Sequence, residues 1–169
     1  GTMVRRLQRM WRHWRAQLRP ARLLLPLAAQ AQIAAEIHAA ERSHRGEIRF
    51  AIETSLSFAQ LWQSLDARAR AMQLFASLGV WDTAHNNGVL IYVLLADRAV
   101  EIVADRAIAA HIPEAEWAAL CAEVAERFRQ GDAASGCSVA IRGVAQRLAR
   151  HFPARGGDGD ELPNQPVLL

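Results

Sequence analysis

Apolar side chains recur at helical intervals over residues 4–19: Leu7, Met10, Trp11, Trp14 and Leu18 share one face, and Arg5, Arg9, Arg12 and Arg19 the other. Residues 20–26 break this pattern, and Pro26 suits the first turn of a following helix. That helix runs to about His44 with Ile33, Ile37 and Ala40 inward, and Gly46 ends it. Residues 47–53 alternate, with Ile48, Phe50 and Ile52 toward a core and Arg49 and Glu53 toward solvent, the pattern of a half-buried strand. Ser57 and Gln60 have capping-box spacing and open a helix over 58–78, with Leu61, Leu65, Met72 and Phe75 inward and Gly79 as its cap. Residues 89–95 are apolar at every position, as in a central strand covered on both faces. Ala96, Asp97 and Arg98 are too few for a crossover, so residues 100–104 must return antiparallel as a hairpin. Pro113 starts a helix with Trp117, Leu120, Cys121, Val124 and Phe128 inward, ending near Gln130 and Gly131. A last helix over 132–151 buries Ala140, Ile141, Val144 and Leu148.

Behind the N-terminal segment the order is α-β-α-β-β-α-α. The first strand, helix and second strand make one crossover, expected right-handed. The fold class is therefore α/β: a three-layer α/β/α sandwich with a Rossmann-like mixed sheet, a parallel crossover unit and a β-hairpin, but no Gly-rich phosphate loop. Three regions follow. Residues 1–22 form a basic amphipathic segment, whose first three residues read as a cloning remnant. Residues 23–153 form the α/β domain. Residues 154–169 are a flexible Pro- and Gly-rich tail: 155–160 read as a linker, and 161–169, extended by prolines, dock along the body or stay loose.

Charge changes this picture at one end only. All 20 basic residues are arginine, which fits a GC-rich bacterial coding bias. Seven lie within residues 1–22, where there is no acid; the remainder holds 13 against 17 Asp and Glu. The basic balance thus belongs to the N-terminal segment, and no nucleic-acid partner is expected. Residues 4–19 suit an anionic membrane surface, a protein partner's groove, or packing onto this domain or a second copy. No signal peptide or bilayer-spanning run is visible, so the expected location is cytoplasmic, peripheral to the inner membrane. Cys121 and Cys137, far apart, read as buried thiols in a reducing compartment. His38, His111 and His151 read as surface or capping residues.

Candidate chemistry comes from topology. If the first two strands are parallel, Glu47 and Asn87 mark starts at one end of the sheet, and Asp105 ends the third strand there. The loop over 82–87 feeds the same place. Glu47, Asp82, Asn86, Asn87 and Asp105 then converge, flanked by His44 and His85. Such oxygens suit Ca²⁺ or Mg²⁺; with His added, Mn²⁺ or Zn²⁺ enters less readily. The same residues also have structural uses, as turn formers, a helix cap and an Arg partner. No Ser-His-Asp constellation, P-loop or zinc-protease motif is present.

Two runs carry a resemblance: Gly46-Glu47-Ile48, and Asn87-Gly88-Val89-Leu90-Ile91-Tyr92-Val93 leading to Val100-Glu101-Ile102-Val103-Ala104-Asp105, with Arg68, Arg70 and Phe75 between. With these the chain resembles the TPM domain family over roughly residues 29–153. Glu161-Leu162-Pro163 resembles the end of a short bacterial branch. The resemblance implies a Rossmann-like α/β/α sandwich, a divalent-cation site at the strand ends and an acid-phosphatase activity ascribed to plant members. Better-known members carry a signal peptide and a transmembrane helix, and usually a Gly-rich segment where this chain has Ala104-Asp105-Arg106-Ala107-Ile108. The first functional expectation is a non-catalytic accessory or interaction domain at the cytoplasmic membrane face. The alternative is a metal-dependent acid-phosphatase-like hydrolase, with a cation on Asp82, Asn87 and Asp105 and Arg106 stabilising charge. A plain cation-binding structural domain is the third.

Overall fold

A computed structural model describes residues 1–154 and 161–169. Four strands form one mixed sheet in the order β3-β2-β1-β4. β1 (Glu47–Glu53) lies parallel to β2 (Gly88–Leu94), pairing Glu47 with Gly88 and Glu53 with Leu94. β3 (Ala99–Ala104) returns antiparallel to β2 after a 3₁₀ turn at Leu95–Asp97. Arg98 sits at the hairpin tip in the left-handed region (φ 49°). β4 (Val167–Leu168) lies parallel to β1 on its other side. So residues 161–169 dock, and the final strand covers a sheet edge. The expected linker over 155–160 lies outside the described residues.

Each face of the sheet has its own core. Ile48, Phe50, Ile52, Val89, Ile91, Val93, Val100 and Ile102 face α3 (Leu27–Ala40), α7 (Glu114–Arg129) and α8 (Ala133–His151). Ala51, Leu90, Tyr92, Leu94 and Val103 face the other side, against α4 (Phe58–Trp62) and α5 (Ala67–Ser77). Each fully buried Ile, Leu or Phe contributes ~1.5–3 kcal/mol. The result is the three-layer α/β/α sandwich that the pattern predicts. α7 and α8 approach closely: a Cβ on Gly143 would come within 2.3 Å of Leu120.

The elements depart from the pattern in four places, and Met72, expected inward, is half exposed. The helix expected over 58–78 is two helices. Ser57 and Gln60 do form a capping box, but Ser64 turns left-handed (φ 58°) and Asp66 starts a new helix by accepting from the Ala69 amide at 2.7 Å. The helix expected to reach His44 ends at Ala40. Two single-turn helices were not anticipated: α2 (Ala21–Leu24), which carries the expected boundary at residue 22, and α6 (Arg106–Ala109). Finally, β1 is covered on both faces, and Glu53 points inward.

Glu53 can be buried because its carboxylate is fully used. Arg70 donates through Nε at 2.9 Å and Nη2 at 3.0 Å, and the Tyr92 hydroxyl donates at 2.7 Å. A buried carboxylate held this way escapes the cost of an unpaired charge. Burial and the hydrogen bond to Glu53 push the Tyr92 phenol well above its ordinary value.

The N-terminal segment is α1 (Thr2–Ala16), and it docks through the face opposite its tryptophans. Arg9 and Arg12 each donate to Asp97 on the β2–β3 turn, at 2.9 Å in the closest contacts. His13 Nε2 stands 3.0 Å from the same carboxylate, and His13 Nδ1 accepts from the Leu56 amide at 2.9 Å. Burial works to raise the Asp97 pKa, but the contacts from His13, Arg12 and Arg9 outweigh it and hold the carboxyl well below its usual range. Of the expected apolar face only Met10 packs inward. Among the described residues no helix is long and apolar enough to cross a membrane.

Candidate functional site

The strand ends meet as the topology requires. The Glu47 amide donates to the Asn87 carbonyl at 2.9 Å, and the Asp105 amide to the Gly88 carbonyl at 2.8 Å. Glu47, Gly88 and Asp105 therefore stand side by side across three strands and, by register, share the face that packs on α5. Glu47, Asn87 and Asp105 are all buried.

Asn87 Nδ2 donates to the Arg45 carbonyl, which fixes the amide. Its Oδ1 then has no hydrogen-bond partner among the described residues. Asp105 Oδ1 accepts from the Arg106 amide at 2.7 Å and starts α6, while Oδ2 is buried without a partner among the described residues. Buried oxygens without donors cost free energy unless a cation or water satisfies them.

Gly88 sets what lies over the row. A Cβ there would stand 2.1 Å from the Val80 carbonyl oxygen, so only glycine fits. This brings a main-chain oxygen to the gap between Glu47 and Asp105. Sequence reasoning missed it because carbonyls have no residue signature; the one available signal was the glycine at a strand start.

The other expected members lie apart from this row. Asp82 is exposed on the preceding loop, as is His85. Asn86 adopts a left-handed conformation (φ 52°), and its Oδ1 accepts from Arg106 at 3.4 Å. Its carbonyl accepts from the Ala107 amide at 3.0 Å, so it ties the loop to α6. His44 is buried beside β1, with Nδ1 accepting from the Gly46 amide at 3.1 Å. Burial lowers its pKa to about 4, so the ring is neutral at pH 7.

Among the described residues no group of three or more His, Cys, Asp or Glu side chains is placed to hold a metal ion. The row offers two carboxylates, one amide oxygen and one carbonyl. That all-oxygen set fits a hard cation better than Zn²⁺.

No thiol is activated. Burial pushes both Cys121 and Cys137 up to about 12. His38 and His111 are exposed; His151 is half-buried beside Glu116 at 3.5 Å.

A second surface feature lies on α1. Met3, Val4, Leu7, Trp11, Trp14 and Leu18 are all more than half exposed, and Trp11 stacks on Trp14 with centroids 5.1 Å apart. At 100° per residue the five within α1 occupy one continuous side of the helix, opposite His13, and Leu18 follows just past its end. Leu23 and Leu27 extend the exposed apolar surface beyond it.

Comparison with known proteins agrees with this architecture. No curated protein gives a significant match. The BA42 protein of the psychrophilic bacterium Bizionia argentinensis, solved by NMR, is similar at 31% identity and a TM-score of 0.74, over 85% of this chain and 94% of that one. The N-terminal domain of a protein from P. gingivalis shares the fold at 21% identity and a TM-score of 0.62, over 78% and 83%. The TPM domain model matches residues 21–147, which contain the sheet's first three strands and the whole strand-end row. On that match this chain belongs to the TPM domain family.

Proposed function

We propose that this TPM domain is a non-catalytic accessory domain that works at an anionic membrane face, with α1 lying in the plane of the interface. The observation that carries this reading is the outward apolar side of a helix already fastened to its own domain. Asp97 holds α1 by its polar side, so the tryptophan side is presented and not sequestered. Arg15 flanks it, and Arg5, Arg19 and Arg22 are exposed elsewhere in the same N-terminal segment, cationic groups that suit anionic lipid. Vesicle flotation tests it. The chain should float with phosphatidylglycerol-containing vesicles and not with phosphatidylcholine alone, and Trp11→Ser/Trp14→Ser should abolish flotation. A parent chain that stays at the bottom with both compositions would sink the reading.

The strand-end row supports a second, compatible role: Glu47, Asn87 and Asp105, with the Val80 carbonyl, hold a Ca²⁺ or Mg²⁺ ion that locks three strand ends together. The buried Asn87 Oδ1 and Asp105 Oδ2 support it. Thermal melts in Ca²⁺, Mg²⁺, Mn²⁺, Zn²⁺ and EDTA test it: a saturating ion at about 100 times its Kd would add ~2.7 kcal/mol. The increment should vanish in Asp105→Ala, whatever that variant's metal-free baseline. The alternative of an acid-phosphatase-like hydrolase would use Arg106 beside the same row. The geometry favours it less, because both thiols are inert and the only serine or threonine in the 82–87 loop, Thr83, accepts from the Asn87 amide. Phosphate-ester turnover abolished by Asp105→Ala would restore it.

A further inference from the structure

The exposed side of α1 runs into a cleft of about 720 Å³ between α1, the β2–β3 turn and the junction of α7 and α8. Its walls differ in chemistry. Leu24, Leu95 and Phe128 give apolar surface, and Trp11 on α1 and Leu18 just past its end belong at once to the cleft and to the exposed apolar surface. Four arginines line it: Arg12, Arg15 and Arg19 from the α1 side and Arg98 from the hairpin tip opposite. One acid is present, Asp97, and it is already engaged by Arg9, Arg12 and His13. Arg15, Arg19 and Arg98 are exposed, and none makes a side-chain hydrogen bond or ion pair among the described residues.

We propose that this cleft is a headgroup site for an anionic phospholipid, with Arg15, Arg19 and Arg98 gathering the phosphate while Trp11, Leu18 and Leu24 take the start of the acyl chains. The inference rests on the membrane reading above and gives it a lipid class. Three features of the place argue for a lipid over a soluble phosphate. The guanidinium forks match phosphate oxygens, and they stand on two separate elements, so one anion can be gripped from both sides. Apolar side chains border the cationic ones, as an amphiphile requires. The cleft also shares Trp11 and Leu18 with the surface that would lie on the bilayer, so a headgroup would enter without leaving the interface.

A diffuse basic surface would also favour anionic vesicles, so the test must separate the cleft from net charge. Arg5 and Arg22 are exposed, make no side-chain ion pair among the described residues and lie outside the cleft. Sedimentation of the full chain with phosphatidylcholine vesicles containing phosphatidylglycerol would compare Arg15→Gln/Arg98→Gln with Arg5→Gln/Arg22→Gln, which remove the same charge. Circular dichroism melts would check that both remain folded. Diffuse attraction predicts the same loss in both, about fivefold per arginine. A headgroup site predicts that the cleft pair loses at least about tenfold more than the control pair, since charge-assisted bonds to the phosphate are lost as well. Equal losses in the two pairs would overturn the cleft and leave membrane docking standing. A parent that binds no vesicle at all would overturn both. Binding of soluble inorganic phosphate to the parent chain without vesicles, as tight as its binding to vesicles and lost in Arg15→Gln/Arg98→Gln, would assign the cleft to a free phosphate and overturn the lipid.

Discussion

His44 shows how a single residue couples this fold to pH. It sits just before β1 with its ring buried, and Nδ1 serves the Gly46 amide. In the folded chain its pKa falls from 6.5 to about 4 through burial. Between those values the unfolded chain takes up a proton that the folded chain refuses. Stability contributed by the neutral ring is therefore complete above about pH 6.5 and is lost as pH falls toward 4, by ~3 kcal/mol in all. Urea titrations from pH 7 to pH 4 should show this decline, and His44→Gln, which can still accept from Gly46, should flatten it. An unchanged slope in the variant would place the acid sensitivity elsewhere. The sequence placed His44 beside the site, but nothing local shows that its backbone bridges to Pro153 at the far end of the domain. Glu53 was misread for a related reason. Period-two alternation sends it to solvent, yet its partners Arg70 and Tyr92 come from α5 and β2, and no strand pattern reveals them.

At the scale of elements, α1 was legible as a helix and misleading as a surface. Its amphipathic pattern is strong, and the reasonable expectation is that an apolar side seeks the core. What decides the matter is Asp97, a short-turn residue that looked like hairpin punctuation. It gathers Arg9, Arg12 and His13, and the helix turns its tryptophans outward. Asp97→Asn should weaken this attachment by about 2 kcal/mol, less than a fully buried pair because Arg12 remains half exposed. Hydrogen exchange should then quicken across residues 2–16 while α7 and α8 keep their protection. Uniform loss across the whole chain would mean that α1 is integral to the global unfolding unit. The split of α4 from α5 belongs to the same scale. Ser64, Leu65 and Asp66 carry a turn and a fresh N-cap, and an inward pattern that continues on either side hides them.

For the whole molecule, the sandwich and its hairpin were readable, because seven consecutive apolar residues and a three-residue turn leave few arrangements. The position of residues 161–169 was not. A two-residue parallel edge strand has no periodicity to detect, and its bonds are largely main chain: the Leu169 amide to the Ile52 carbonyl at 2.8 Å, and the Thr54 amide to the Leu169 carbonyl at 3.1 Å. Arg49 adds contacts to the Pro163 and Gln165 carbonyls, and Leu162 enters the α5-side core. Deleting residues 162–169 should cost about 3 kcal/mol from lost apolar burial and ladder bonds. Chemical denaturation would measure it, and a loss under about 0.5 kcal/mol would show that the segment is ornamental to stability. The strand-end row, by contrast, was legible in its carboxylates and Asn87 because topology alone brings those together.

The final strand fills the β1 edge as an intramolecular ligand would. Its occupancy depends on effective concentration, which for a short connection is in the millimolar range. Its displacement would uncover the main-chain groups at the β1 edge that now pair with it, among them the Ile52 carbonyl and the Thr54 amide. An extended segment of another protein, supplied at a comparable local concentration, could take that place by strand addition. The same domain would then change partners without changing its fold, and the strand it carries would set the threshold a competitor has to exceed.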